Sequence, residues 1–143
     1  MDAFGQFVAS ARRTDRPIVL VVDDDPKVLA ALRRCLRREG YDVITAGDAP
    51  EALERLSNGA ADLVIADLRM PGMTGTELLG EIRARFPGVS CALLTGDHAL
   101  TVIRDGGRAG AAAVLFKPWK DQALRETIRR LLGGPPESTD PPR

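Results

Sequence analysis

Five short apolar runs alternate along the chain with segments whose apolar residues recur at helical spacing. The runs are almost continuously apolar, which is typical of strands buried on both faces of a parallel sheet. Alternation of such strands with helices predicts an α/β fold, with helices packed on both faces of the sheet. The predicted strands span residues 18–22, 41–45, 63–66, 89–94 and 112–116.

The start signals of the predicted helices lie where this alternation requires them. Asp25 stands directly before Pro26, as expected for an N-cap residue followed by proline at the first helical position. Two further pairs have the spacing of a capping box, in which an N-cap side chain and an acidic side chain three residues later satisfy backbone N–H groups. These pairs are Asp48 with Glu51 and Thr74 with Glu77.

The fourth helical segment has the weakest apolar pattern, and Gly106 and Gly107 stand at its expected end. Glycine costs a helix about 1 kcal/mol per position relative to alanine. We therefore expect this helix to be short and loosely held.

Composition excludes several classes of protein. Twenty basic and twenty acidic residues cancel to a formal net charge of zero, which argues against a direct nucleic-acid binder or a membrane-surface binder. No apolar stretch approaches the roughly 20 residues that cross a bilayer, and the N-terminus lacks the apolar core of a signal peptide. Cys35 and Cys91 are far apart and are expected to be buried thiols. These features predict a cytoplasmic protein.

The 143 residues are enough for one domain, which we expect to span residues 17–132. Residues 1–16 form an N-terminal extension, and residues 133–143 have the composition of a linker or a disordered tail. The tail is too short for a helix-turn-helix module. The chain is therefore expected to be either a stand-alone domain or the N-terminal part of a longer protein.

Charged side chains gather at the predicted carboxyl ends of the strands. Asp23 and Asp24 follow the first strand, Asp67 follows the third and Lys117 follows the fifth. In open parallel sheets these ends meet at one edge, where ligands bind. Because like charges repel, bunched carboxylates predict a divalent cation, and a lysine beside them indicates a phosphoryl group.

The chain resembles the receiver domain of two-component response regulators, especially chemotaxis-regulator-like receivers. The resemblance rests on Asp23-Asp24, Asp67, Thr95 and Lys117-Pro118, in this order and at strand ends, and it extends over residues 17–132. It implies a flavodoxin-like (βα)5 fold, a doubly wound parallel sheet of five strands in the order 2-1-3-4-5. In many receivers the bond before the proline is cis.

The resemblance also implies a role for each of these residues. Asp67 would accept a phosphoryl group from the histidine of a sensor histidine kinase or a histidine phosphotransfer protein. The domain would be a signalling switch and not an enzyme, assisting only its own phosphorylation and dephosphorylation. Thr95 and Lys117 would bind the phosphoryl oxygens. Mg²⁺ would be held by Asp24 and Asp67 directly, by Asp23 through water and by the backbone carbonyl of Arg69.

Position 114, three residues before Lys117, departs from the receiver pattern. Many receivers carry an aromatic residue there that turns inward when the threonine engages the phosphoryl group, and this chain has Val114. A valine cannot make that movement, so we expect the fourth helix and fifth strand to respond through backbone shifts. By resemblance, helix four, strand five and helix five form the surface that reports phosphorylation to an unknown target, and the same surface is a candidate homodimer interface.

Two other functions remain open from the residues alone. A haloacid-dehalogenase-like phosphatase places an aspartate nucleophile after its first strand in the pattern D-x-D-x-[TV]. Asp23 and Asp25 fit the two aspartates, but Lys27 stands where threonine or valine is expected. The other alternative is a receiver-like scaffold that works without phosphorylation. The complete set of site residues argues against this scaffold, whereas Val114 favours it.

Four arginines crowd the first predicted helix: Arg33, Arg34, Arg37 and Arg38. A run of charge is usually a solvated helix face. In receivers the first helix often contacts the phosphodonor, so a docking surface is an equally good interpretation.

Overall fold

The structure, a computed structural model, describes residues 16–59, 61–96 and 100–133. Within them, five parallel strands form one sheet in the order β2-β1-β3-β4-β5, which confirms the predicted fold class and strand order. None of the described helices combines the length and the apolar character needed to cross a bilayer. The strands are β1 Ile18–Val22, β2 Asp42–Ala46, β3 Leu63–Asp67, β4 Ser90–Thr95 and β5 Ala113–Phe116, and the helices are α1 Pro26–Arg38, α2 Ala49–Asn58, α3 Gly75–Arg85, α4 Leu100–Arg108 and α5 Asp121–Leu131.

The sheet is covered on both faces, because alternate residues of each central strand point to opposite sides. Leu20 and Val22 of β1 belong to a core cluster with α2 and α3. Val19 and Val21 belong to a second cluster with α1 and α5. All four residues are at most 1% exposed, as the continuous apolar pattern of the strand predicts. Because β1 and β3 are parallel neighbours, their carboxyl ends lie at the same edge of this buried sheet.

Two of the predicted helix starts form as expected. Asp25 is the N-cap of α1, and its Oδ1 accepts a hydrogen bond of 2.9 Å from the backbone N–H of Lys27. Thr74 and Glu77 form a complete capping box at α3, with bonds of 3.1 Å from the Glu77 N–H to Thr74 Oγ1 and 2.9 Å from the Thr74 N–H to Glu77 Oε1. The loop that follows β3 is therefore fixed to a well-capped helix.

The expected capping box at α2 forms only in part. Asp48 accepts from the Glu51 N–H at 2.9 Å, as predicted. Glu51 Oε1, however, accepts from the N–H of Gly47 at 2.8 Å and not from that of Asp48. The other Glu51 oxygen is held by Arg55 at 3.1 Å, one helical turn later. The spacing lets the carboxylate reach more than one backbone N–H group, so spacing alone could not decide between them.

Helix α4 continues through both glycines to Arg108, which corrects the expected end at Gly106. A Cβ on Gly106 would lie 2.9 Å from Leu93 Cδ1 and 3.2 Å from Val114 Cγ2. Gly106 is also the only buried residue of α4 among those whose burial is described. The absence of a side chain at Gly106 therefore allows α4 to approach the sheet closely. A sequence pattern cannot distinguish a glycine with this packing role from a glycine that ends a helix.

Both cysteines are free and buried, as predicted. Burial raises the pKa of the Cys91 thiol to about 11 and also raises the pKa of Cys35. Because thiol reagents attack the exposed thiolate, we expect neither cysteine to react at pH 8 in the folded protein. Both cysteines should react in guanidinium chloride. A colorimetric thiol assay under both conditions checks this, and a rapidly reacting native thiol would contradict the described packing.

Candidate functional site

The carboxyl edge of the sheet gathers the predicted site residues through continued backbone pairing. Asp23 follows β1, and its N–H donates to the carbonyl oxygen of Ala46 at the end of β2, at 3.1 Å. Lys117 follows β5, and its N–H donates to the carbonyl oxygen of Thr95 at 2.8 Å. Asp67 is itself the last residue of β3. Backbone hydrogen bonds of the sheet therefore fix Asp23 and Lys117 just beyond their strands and Asp67 at the end of its strand.

Three carboxylates converge at this edge. Asp23, Asp24 and Asp67 each offer an oxygen atom, and these atoms lie within 4.8 Å of one another. Asp23 and Asp67 are 1% and 6% exposed, whereas Asp24 is exposed. The cluster therefore has a buried floor and an opening to solvent on the side of Asp24.

Lys117 reaches into the cluster from β5. Its Nζ lies 3.0 Å from Asp67 Oδ1 and 3.2 Å from Asp23 Oδ2, and its side chain is 27% exposed. The ammonium group therefore bridges the two buried carboxylates and offsets part of their mutual repulsion.

Burial and neighbouring charges shift the titration of this cluster. Burial raises the pKa of Asp67 above its ordinary value, and the carboxylates of Asp23 and Asp24 add to the rise, while the contact with Lys117 opposes it. Burial alone would lower the pKa of Lys117, but the contacts and charges of Asp67 and Asp23 together outweigh it, so this pKa is raised. The lysine is thus held as an ammonium at neutral pH.

The donor set fits a hard divalent cation. Asp23 Oδ1 accepts from the N–H of Asp25 at 2.9 Å, but the buried Asp23 Oδ2 accepts no hydrogen bond from the described residues. Its contact with the Lys117 ammonium is ionic and lacks hydrogen-bond geometry. Within the described part of the chain, three carboxylates face the Lys117 ammonium, so these groups together keep an excess of negative charge and offer oxygen ligands, the kind that Mg²⁺ prefers.

The backbone of Gly75 packs directly against the backbone of Asp67. The sequence analysis did not single out this glycine. Its N–H donates to the carbonyl oxygen of Leu68 at 2.9 Å. A Cβ at this position would overlap the carbonyl oxygen of Asp67 and lie 3.0 Å from its carbonyl carbon. A glycine at the first position of a helix, directly after the Thr74 N-cap, is the signal that could have indicated this close approach.

The structure also describes the other residues that the sequence analysis singled out. Thr95 ends β4 and is 2% exposed. Arg69 lies two residues beyond Asp67 on the loop to α3, and its side chain is exposed. The Lys117–Pro118 peptide bond is cis, as the receiver resemblance implied. Val114 is partly buried, and its Cγ2 would lie 3.2 Å from a Cβ placed on Gly106 of α4.

Comparison with known proteins places this geometry in one family. The sequence model of the response regulator receiver domain matches residues 19–129. The chain is 38% identical over 123 residues to the response regulator protein FleR of Pseudomonas aeruginosa, covering 85% of this chain and 26% of FleR. It is 37% identical over 122 residues to the transcriptional regulatory protein GlrR of Escherichia coli, covering 85% of this chain and 28% of GlrR.

A solved structure shows the same fold. The CheY-like response regulator receiver domain protein from Methanospirillum hungatei superposes with a TM-score of 0.78 at 34% identity, covering 83% of this chain and 95% of that one. The chain thus spans nearly all of that solved domain but only about a quarter of the length of FleR and GlrR.

Proposed function

The chain belongs to the response regulator receiver domain family, and from this premise we propose that Asp67 accepts a phosphoryl group from a phosphohistidine of a partner protein. The observation that carries the assignment is the position of the Asp67 carboxylate, 3.0 Å from the Lys117 ammonium and within the cluster formed with Asp23 and Asp24. Of the two carboxylates that the lysine bridges, Asp67 is the more exposed, at 6% against 1% for Asp23.

The transfer balances without a further reactant. An oxygen of the Asp67 carboxylate forms a bond to phosphorus while the P–N bond to the partner's imidazole breaks, and the imidazole keeps the electron pair and takes a proton from solvent water. The product is an acyl phosphate on Asp67. Lys117 contacts the attacking carboxylate and offsets charge on the phosphoryl oxygens, and the Thr95 hydroxyl donates to one of them.

We assign the cation site to the carboxylates of Asp23, Asp24 and Asp67, together with the backbone carbonyl of Arg69. Mg²⁺ bound there supplies charge neutralisation between the anionic nucleophile and the anionic phosphoryl group. The excess of negative charge in the pocket and the buried Asp23 Oδ2 support this assignment.

The proposed phosphodonor is a sensor histidine kinase or a histidine phosphotransfer protein, and the proposed location is the cytoplasm. FleR and GlrR carry regulatory names, which supports a role in regulation. We propose that the domain acts through partner binding and not through turnover of a substrate. We propose that the surface formed by α4, β5 and α5 reports the phosphorylated state, by contact with a target or with a second copy of the chain, and that the domain itself contacts neither nucleic acid nor membrane.

The phosphatase alternative is disfavoured by the position of Asp25. A haloacid-dehalogenase-like mechanism would use Asp25 as the second catalytic carboxylate, but its Oδ1 caps α1 by accepting from the Lys27 N–H at 2.9 Å. A scaffold that works without phosphorylation has no need for a buried Asp23 oxygen without a hydrogen bond. The receiver assignment accounts for both features.

We expect acetyl phosphate with Mg²⁺ to add one phosphoryl group to the wild-type protein and none to Asp67→Asn. Intact-mass spectrometry at short reaction times measures both, and chelation of Mg²⁺ should suppress the labelling of wild type by at least about 100-fold. Equal labelling of wild type and Asp67→Asn would overturn the proposal. Steady release of many equivalents of phosphate from phosphate monoesters would favour the phosphatase instead.

A further inference from the structure

The strand β2 lies at an edge of the sheet, so backbone pairing holds its carboxyl end from one side only. Among the described strands, β2 pairs with β1 alone, whereas β3 pairs with both β1 and β4. The strand that ends in Asp67 is therefore supported from both sides. Asp23 depends on β2 instead, because its N–H donates to the carbonyl oxygen of Ala46 at 3.1 Å. The backbone of Asp23 is thus placed by how firmly the end of β2 is held.

Two side chains of α2 hold this end of β2. Glu51 Oε1 accepts from the N–H of Gly47 at 2.8 Å. Arg55 Nε donates to the carbonyl oxygen of Thr45 at 3.2 Å, and its Nη2 lies 3.1 Å from Glu51 Oε2. The two backbone groups lie on either side of Ala46 in the chain, so α2 supplies bonds that an edge strand lacks.

The bond from Gly47 acts on the same peptide group that holds Asp23. The carbonyl of Ala46 and the N–H of Gly47 belong to one planar unit, so fixing the N–H also fixes the direction of the carbonyl. A charged acceptor strengthens such a bond, and hydrogen bonds in a chain polarise one another. The Glu51 carboxylate therefore orients the Ala46 carbonyl and makes it a better acceptor for the Asp23 N–H.

Capping of α2 does not account for this contact. The helix already has an N-cap, since Asp48 Oδ1 accepts from the Glu51 N–H at 2.9 Å. In a complete capping box the Glu51 carboxylate would return to the N–H of Asp48. It reaches one residue further, to Gly47, which lies outside the helix in the connection from β2. The carboxylate of Glu51 thus serves the strand end more than the helix.

The Asp23 carboxylate has little freedom once its backbone is placed. Its Oδ1 accepts from the Asp25 N–H at 2.9 Å, and the residue is 1% exposed. Its Oδ2 lies 3.2 Å from the Lys117 ammonium and accepts no hydrogen bond from the described residues. A shift of the Asp23 backbone therefore moves an oxygen of the cation site.

We propose that Glu51 is a positioning residue of the cation site: by holding the Ala46–Gly47 peptide group it fixes Asp23, and so raises the affinity for Mg²⁺. The inference rests on the proposed function, which assigns Asp23, Asp24 and Asp67 to that cation. In this role Glu51 acts through Asp23 and does not itself bind the cation. Groups that orient metal ligands change metal affinity by about 10- to 100-fold when they are replaced.

The test compares Glu51→Met with Glu51→Gln. Both variants remove the charge and the ion pair with Arg55, and both keep a long, unbranched side chain that suits a helix. Only glutamine keeps an oxygen that accepts from the Gly47 N–H. Titration of the full-length protein with Mg²⁺, followed through the amide resonances of Asp24 and Asp67, gives the dissociation constant. We expect methionine to raise this constant about tenfold and glutamine to leave it within about threefold of wild type.

Leu53→Ala is the control for a general loosening of α2. Leu53 packs against the core from the same helix, so its truncation lowers stability without changing the charge. The Mg²⁺ dissociation constant of this variant should stay that of wild type. Equal weakening by methionine and glutamine would make the lost charge the cause, and equal weakening by Leu53→Ala would make helix stability the cause. Either result, or an unchanged constant in Glu51→Met, would overturn the inference.

Amide hydrogen exchange in the presence of a chelator tests the same link without a cation. Relative to the amides of β3, the N–H groups of Asp23 and Gly47 should exchange at least about tenfold faster in Glu51→Met than in wild type, because a charge-assisted hydrogen bond is lost. The glutamine variant should retain most of the protection. Unchanged exchange at Asp23 in Glu51→Met would contradict the positioning role.

Labelling by acetyl phosphate separates this inference from the proposed function. At Mg²⁺ concentrations that saturate each protein, Glu51→Met should be labelled at the wild-type rate, because the substitution acts on cation affinity. A rate that stays low at saturation would place Glu51 in the transfer step and contradict a role through the cation site. Failure of the wild type to bind Mg²⁺ or to be labelled would overturn the proposed function, while exchange at Asp23 would still decide whether Glu51 holds this loop.

Discussion

Replacing Gly75 with alanine is expected to destabilise the domain by about 1–3 kcal/mol, the usual cost of inserting a methyl group into a closely packed site. The added Cβ would overlap the carbonyl oxygen of Asp67 and lie 3.0 Å from Leu68 Cα. These are backbone atoms of the buried last residue of β3 and of the residue that follows it, so they cannot rotate away as a flexible side chain would. Urea unfolding followed by circular dichroism measures the loss.

The same substitution is expected to slow labelling of Asp67 by up to about 100-fold, because small displacements of a reacting group have effects of this size. Gly80→Ala is the matched control on the same helix, since Gly80 is exposed and its added Cβ would meet no atom within 4 Å. Alanine there should stabilise α3 by about 0.5–1 kcal/mol and leave labelling unchanged. Equal stability of the two variants would contradict the described contact between α3 and β3.

Replacing Lys117 with methionine is expected to lower stability by about 3 kcal/mol in the presence of a chelator, because it leaves paired buried carboxylates without their cation. Asp23 and Asp67 are 1% and 6% exposed, and the lysine ammonium lies within 3.2 Å of both. Labelling by acetyl phosphate should fall about 100-fold or more, as for other groups that stabilise developing charge. Urea unfolding and labelling rates measure the two effects.

Mg²⁺ should restore part of the stability of Lys117→Met, because a ligand that binds only the folded state stabilises it by mass action. At the same Mg²⁺ concentration, the stability gained by Lys117→Met should exceed the stability gained by wild type, because in the variant no ammonium offsets the charge of the carboxylates that bind the cation. Lys120→Met, an exposed change three residues away, should leave stability within about 0.5 kcal/mol of wild type. A Lys117→Met protein as stable as wild type in chelator would refute the bridging role.

The fold could be predicted from the sequence because its strongest signals are periodic. β1 matches its predicted range of 18–22, and the other strands differ at their ends by one residue. Two of these differences fall at Asp67 and Thr95, whose polarity resembles that of a loop although their backbones still pair in the sheet. A hydrophobic pattern cannot report pairing by polar residues.

The composition of the candidate site could also be predicted, because parallel strands bring their carboxyl ends to one edge. The sequence indicated that Asp23, Asp24, Asp67 and Lys117 would converge, and the structure places them together. It did not indicate Gly75 or the packing of Gly106 against Leu93 and Val114, because both depend on distances between elements far apart in sequence. Nearly all of the N-terminal extension and nearly all of the tail lie outside the described residues.

Borohydride trapping after reaction with acetyl phosphate and Mg²⁺ tests the central assignment most directly. Borohydride reduces an acyl phosphate on aspartate to homoserine, and peptide mass spectrometry then identifies which residue was modified. Our account predicts homoserine at position 67 in the presence of Mg²⁺ and at no other aspartate. Homoserine at position 23 or 24, or at no position in a folded protein that binds Mg²⁺, would contradict it.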